Sequence, residues 1–243
     1  LAYLCCLPNV VVMAPSDENE LANMVFTSAN YNKGPIFCRY PRGEGEGVEF
    51  PESLKNLEIG KGRIVREGED IAILALGTRV GTALKVADIL NTDSCSITVA
   101  DARFAKPIDT DLVQKLWNDH RKLIIIEEGS AGGFSSHCLH FLSSKGILNQ
   151  NDKEIRCLTM PDYFQDHASQ NEQLAKAGLD VNGLLKIIRD MITTLSLNNE
   201  FLAKWFIKLY FKVFKITKER LDKLMVSNGL AKSREQANSL LMS

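Results

Sequence analysis

The feature that most constrains this chain is a repeated switch in hydrophobic period. Short apolar runs rich in Val and Ile alternate with stretches of helical spacing. A short apolar run suits a strand buried on both faces, and strands separated by helical segments assemble as a parallel sheet covered by helices. Residues 10–14 are the first such run. A helix start follows at Pro15 to Glu20, where Asp17 and Glu20 stand at capping-box spacing. A strand over 36–40 then closes a βαβ unit. Residues 43–60, rich in Gly and Glu and containing Pro51, read as a linker. Beyond them the pattern predicts strands near 62–66, 71–76, 96–100, 122–127 and 154–158, and helices near 80–90, 109–119, 134–144 and 181–193. The expected fold class is α/β with a largely parallel sheet.

Composition sets the outer bounds. A chain of 243 residues with 45% hydrophobic and 24% charged residues is ordinary for a soluble globular protein and can hold one large or two modest domains. The net charge of -1 hides an asymmetry: residues 1–199 carry -6, whereas residues 200–243 carry +5. Six cysteines lie mostly inside apolar runs without CxxC spacing, which argues against a zinc site or a disulfide framework and for reduced thiols in a cytosol-like compartment. No charged n-region and apolar h-region mark a secretory signal. The expected location is therefore cytoplasmic, and the start at Leu1 reads as the interior of a longer protein.

The stretch RYPRGEGEGV places Arg39 and Arg42 around Pro41 and then supplies three glycines in five residues. Proline fixes φ and glycine opens positive φ, so Arg42 is presented from a stiffened corner. An arginine held that way suits a carboxylate or a phosphate. The competing reading is a surface ion pair with Glu44 or Glu46. Other candidates also have two readings. Gly132 and Gly133 before a helix could present N–H groups to an anion, or allow close packing where the helix begins. Glu127 and Glu128 after an apolar strand could form an acid/base pair. His137 and His140 share a helical face, but no third ligand is near in sequence, so they read as structural. Asp101, Arg103, Lys106 and Asp109 around Pro107 read as a strand-to-helix corner tied by ion pairs.

The C-terminal stretch differs in kind. Lys204, Lys208, Lys212 and Lys215 fall three or four apart on one helical face, with Phe201, Trp205, Phe206, Leu209 and Val213 on another. Such a basic amphipathic helix can lie on an anionic membrane or dock on protein.

Several motifs resemble one family. CLPNVVVMAPSDENELANMVFTSANYNKGPIFCRYPRGEGEGV is similar to the later part of the pyrimidine-binding domain of the 1-deoxy-D-xylulose-5-phosphate synthase family. IGKGRIVREGEDIAILALGTRVGTALKVADIL, DARFAKPIDTDLV, LIIIEEGSAGGFSSH and MPDYFQDHASQNEQLAKAGLD resemble that family's transketolase-type C-terminal domain, in the same order. The RYPRG, DARF and HASQ patterns distinguish it from other transketolase-type chains. The resemblance implies a partial pyrimidine-binding domain over 1–43, a linker over 44–59, a transketolase C-terminal-like α/β domain over 60–193 and a basic helical tail over 194–243.

It further implies a homodimeric transferase that decarboxylates pyruvate and joins it to glyceraldehyde 3-phosphate, using thiamine diphosphate and Mg²⁺ in the complete enzyme and feeding isoprenoid synthesis. On this resemblance Arg42 contacts the phosphate of glyceraldehyde 3-phosphate, Arg39 is a structural ion-pair residue, and Glu127 and Glu128 have structural and interface roles. The family's GDG...N segment, its activating glutamate and its reaction-centre histidine and aspartate do not occur here, so no catalytic, cofactor-binding or metal residue is expected in this chain, and alone it should be inactive. The end, RLDKLMVSNGLAKSREQANSLLMS, resembles the opening helix pair of the RNA-binding domain of haemolysin-like RNA methyltransferases, on Arg220, Gly229 and Ser233-Arg234-Glu235. A non-catalytic dimerisation module, and weak RNA or anionic-membrane contact through the tail, are the alternative expectations.

Overall fold

The computed structural model describes residues 1–91, 95–148 and 153–192, together with residues 223, 225, 226, 231–233, 235 and 236. The chain divides into two compact units, 1–185 and 186–243. The first unit is α/β. Its elements in order are α1 (Ala2–Cys5), β1 (Val11–Met13), α2 (Glu18–Asn30), β2 (Ile36–Cys38), β3 (Arg63–Arg66), β4 (Ile71–Ala75), α3 (Arg79–Asn91), β5 (Ile97–Asp101), β6 (Phe104–Lys106), α4 (Thr110–Asp119), β7 (Lys122–Ser130), α5 (Phe134–Ser144), β8 (Glu154–Met160) and α6 (Gln170–Ala177).

Five strands form one sheet in the order β3-β5-β4-β7-β8. All neighbours are parallel except the edge strand β3, which runs antiparallel to β5. Every residue of β4 and β5 is buried, as is β7 from Lys122 to Glu127, which is why these strands read as unbroken apolar runs instead of alternating ones. Side chains such as Ile73, Leu74, Ile124 and Ile125 are at most 1% exposed, and each contributes about 1.5–3 kcal/mol of burial free energy. Trp117 on α4 joins this core and satisfies its indole by donating to the Ile147 carbonyl at 2.9 Å.

A second sheet has the order β2-β1-β6. β1 and β2 are parallel, with α2 as their crossover, while β6 lies antiparallel on the other edge of β1 through Val12–Lys106 and Met13–Phe104. Residues 104–106 therefore cover one edge of the N-terminal βαβ unit that the sequence pattern leaves bare. A three-residue strand carries too little periodicity to be read in advance. α6 is also absent from the pattern, although its capping signals are present. Ser169 and Glu172 make a reciprocal capping box, and Gly178 ends the helix at φ 69. At α2 the expected capping box forms only in half. Asp17 accepts from Glu20 N at 2.8 Å, but the Glu20 carboxylate turns to arginines instead of the cap backbone.

In the second unit residues 186–192 are helical, and Ile188, Met191, Met225 and Ala231 are buried. Gln236 N donates to Ser233 Oγ at 3.2 Å, and Lys232 N to Gln236 Oε1 at 2.7 Å, beside the helical residues 235 and 236. The basic amphipathic stretch 201–216, Arg220, Gly229 and Arg234 lie outside the described residues. Among the described residues no helix is long and apolar enough to cross a membrane.

Candidate functional site

The carboxyl ends of parallel strands are where an α/β sheet leaves loops and free backbone groups for ligands. Here β1 and β2 end side by side, held beyond their last residues by Arg39 N donating to Met13 O at 2.8 Å. On the other flank Ala14 N donates to Arg103 O at 2.9 Å. The loops leaving these ends wall a cavity of about 280 Å³, with Ser16, Asp17 and Glu18 on one side and Tyr40, Pro41 and Gly43 on the other.

Arg42 lies between two of these lining residues and is exposed. Neither Glu44 nor Glu46 pairs with it. Glu46 instead pairs with Lys85 at 3.4 Å, and among the described residues the Arg42 guanidinium meets no acceptor. The surface ion pair that competes with an anion site is thus not made. Arg39 behaves differently, with its Nη2 3.4 Å from Glu128 Oε1. Glu18 reaches the same loop from the start of α2 and accepts from Gly47 N at 2.7 Å. The backbone N–H of Gly47, then its own N–H, hold the Glu18 carboxyl below its ordinary value.

Beneath the cavity floor is a buried ionic network. Glu20, 3% exposed, takes a two-point contact from Arg103, Nε to Oε2 at 2.8 Å and Nη2 to Oε1 at 2.9 Å, and a second cation from Arg63 at 3.1 Å. Asp101 at the end of β5 is wholly buried. It accepts from Ser16 Oγ at 3.2 Å, Arg63 Nη2 at 3.3 Å and Arg103 N at 3.0 Å. Burial pushes its carboxyl up to about 6, with Arg63 opposing and Glu20 adding to the shift. Arg103 takes φ 56 at this corner. The sequence places Asp101 and Arg103 together but could not supply Glu20, which comes from a helix 83 residues earlier. Lys106 donates to the carbonyls of Cys5 and Leu7, and Asp109 caps α4 through Leu112 N at 3.0 Å.

Glu127 has no exposed surface. It accepts from Phe134 N at 3.1 Å and from both Ser135 N and Ser135 Oγ at 2.8 Å. The first N–H groups of α5 are therefore occupied by an internal carboxylate, which the helix dipole favours. A Cβ on Gly133 would come within 2.7 Å of Glu127 Oε2, and one on Gly129 within 2.6 Å, so the glycines serve close packing and not an external anion. His137 is held below its ordinary value by burial and by Lys106. Among the described residues no group of three or more His, Cys, Asp and Glu could hold a metal. His120, which the sequence reading passes over, is buried with Nε2 2.8 Å from Thr98 Oγ1 and Nδ1 3.1 Å from Leu116 O.

Residues 60–184, more than half of the chain, match the family described as transketolase, C-terminal domain. The chain belongs to the transketolase C-terminal domain family. A solved structure described as "Split gene transketolase, inactive beta4 tetramer" is similar to this chain with a TM-score of 0.66 and 26% identity, over 79% of this chain and 60% of that one. The transketolase match begins at Gly60. The βαβ unit carrying Arg42 thus precedes the matched transketolase domain, yet β6, which lies within the match, completes its sheet.

Proposed function

We propose that this chain is the C-terminal part of a thiamine-dependent synthase of the 1-deoxy-D-xylulose-5-phosphate type, which joins decarboxylated pyruvate to glyceraldehyde 3-phosphate with release of CO₂. The observation that carries this reading is Arg42, an unpaired guanidinium on a proline-stiffened loop at the carboxyl ends of β1 and β2. Membership of the transketolase C-terminal domain family supports it. Arg42 offers a fork of donors to the acceptor's phosphate. Because only the acceptor carries that phosphate, Arg42 serves the second half-reaction and not the decarboxylation.

We propose that the complete enzyme's thiamine diphosphate and Mg²⁺ are held outside the described residues. They hold no metal cluster, and the N–H groups at the start of α5 are already taken by Glu127. The cofactor, which supplies carbanion chemistry when bound, is held in our reading by groups outside this set. In an enzyme completed around this chain, Arg42→Ala should raise the KM for glyceraldehyde 3-phosphate by about 10–100-fold, the worth of hydrogen bonds to a charged partner. Pyruvate decarboxylation should be spared. Equal losses in both half-reactions would remove Arg42 from the phosphate site.

A second reading is a non-catalytic assembly module, favoured by the similar structure described as an inactive tetramer. On either reading we propose a cytoplasmic chain that self-associates, as a homodimer in the synthase. Weak contacts of residues 194–243 with RNA or anionic membrane would be driven by charge.

A further inference from the structure

The loop Gly43 to Gly47 offers the Gly47 N–H to an acceptor, and that acceptor is the protein's own carboxylate. Glu18 Oε1 accepts from Gly47 N at 2.7 Å. Room for it comes from a missing side chain, because a Cβ on Gly45 would overlap the Glu18 carboxylate. Gly47 takes φ 78, which closes the loop over that contact. On the other side Gln170, the first residue of α6, places Oε1 3.3 Å from where a Cβ on Gly43 would sit. The loop following Arg42 is therefore gripped from α2 and packed from α6. Arg42 itself has no partner among the described residues, so its side chain is free and only its backbone is placed. That placement comes from Pro41 on one side and the gripped loop on the other.

We propose that Glu18 is the positioning residue for Arg42, holding the 43–47 loop so that the guanidinium stays beside the cavity at the carboxyl ends of β1 and β2, ready for a phosphomonoester. This rests on the reading of Arg42 as a phosphate ligand. The electrostatics give the idea a sharp sign. A carboxylate near a phosphate site repels the ligand, so if Glu18 acted only through its charge, removing it would tighten phosphate binding. If it acts by holding the loop, removing it weakens binding, because a guanidinium that must first be ordered costs affinity.

The test uses the full chain with inorganic phosphate as probe, comparing wild type, Glu18→Ala, Glu18→Gln and Arg42→Ala. Phosphate binding is followed by ³¹P NMR of the added phosphate in every variant, and hydrogen exchange is read at the Gly47 amide. Glu18→Ala should speed Gly47 exchange and weaken phosphate binding, each by about tenfold, the worth of one hydrogen bond. Glu18→Gln keeps an acceptor oxygen without the charge and should stay near wild type in both. Unchanged or tighter phosphate binding in Glu18→Ala, or unchanged Gly47 exchange, would overturn the positioning role. Undiminished phosphate binding in Arg42→Ala would overturn the phosphate reading of Arg42 instead, leaving Gly47 exchange to decide whether Glu18 grips the loop.

Discussion

Two glutamates in this chain accept from backbone N–H where nearby glycines make room, with different consequences. Glu127 is fully buried and takes three donors from the start of α5, with Gly129 and Gly133 making room. Glu18 is partly exposed and takes one N–H from the loop beside Arg42, with Gly45 making room. The local chemistry is the same, a carboxylate filling space that an external anion could use. Donor count and water access separate them. Where water is excluded, each donor depends on the carboxylate, and the contact is part of the core. Where water can replace the carboxylate, the contact is a clamp whose loss a fold survives.

The strongest way to break this comparison is Glu127→Ala. It strands three buried donors, so the loss should be about 3–5 kcal/mol, a large part of a typical domain's stability. A urea titration followed by circular dichroism measures it. A loss below about 1 kcal/mol would show that water reaches the site and that the two contacts are alike.

Asp101 sharpens the comparison as an intermediate case, buried like Glu127 but supported by one backbone N–H, a serine hydroxyl and a guanidinium. Its carboxyl lies near 6 in the folded chain against 3.8 when unperturbed. The native state therefore binds that proton more tightly than the unfolded state. Its contribution to stability falls as pH rises from about 4 to about 6, by at most about 1.4 kcal/mol per pH unit, and levels off above. Asp101→Asn should remove that slope in unfolding experiments across pH 4 to 7. A wild-type contribution that instead grew over this window would show that Arg63 and Arg103 outweigh burial.

The smallest effects should come from the glycines. Gly133→Ala forces a Cβ against a carboxylate that cannot leave, and should cost about 1–3 kcal/mol. Gly45→Ala meets the far end of a partly exposed side chain that can rotate away, and should change global stability by no more than about 0.5 kcal/mol while raising exchange at Gly47. Thermal midpoints of the two variants, with Gly47 exchange alongside, check this ordering; equal midpoints would contradict it.

Much of the fold is legible along the chain. The pattern predicts a helix over 134–144, and α5 spans Phe134–Ser144; it predicts 80–90, and α3 spans Arg79–Asn91. These elements carry their own record of burial in consecutive residues. β6 and α6 do not, the first being too short and the second being marked mainly by its caps. Arg42 stands out for its proline and glycines. Nothing in its neighbourhood indicates that Glu46 would turn to Lys85 and leave the arginine unpaired.

The sequence by itself determined the alternation of the longer strands and helices and the largely parallel core, because hydrophobic period and cap spacing are local properties that neighbouring residues carry together. Only the tertiary structure decided the long-range partners of Glu18 and Glu20. Glu18 reaches Gly47 across 29 residues of sequence, and Glu20 reaches Arg103 across 83. The physical reason is that a backbone N–H or a guanidinium donates to any nearby oxygen with suitable geometry, so its partner is chosen by which elements lie side by side and not by the residues around it.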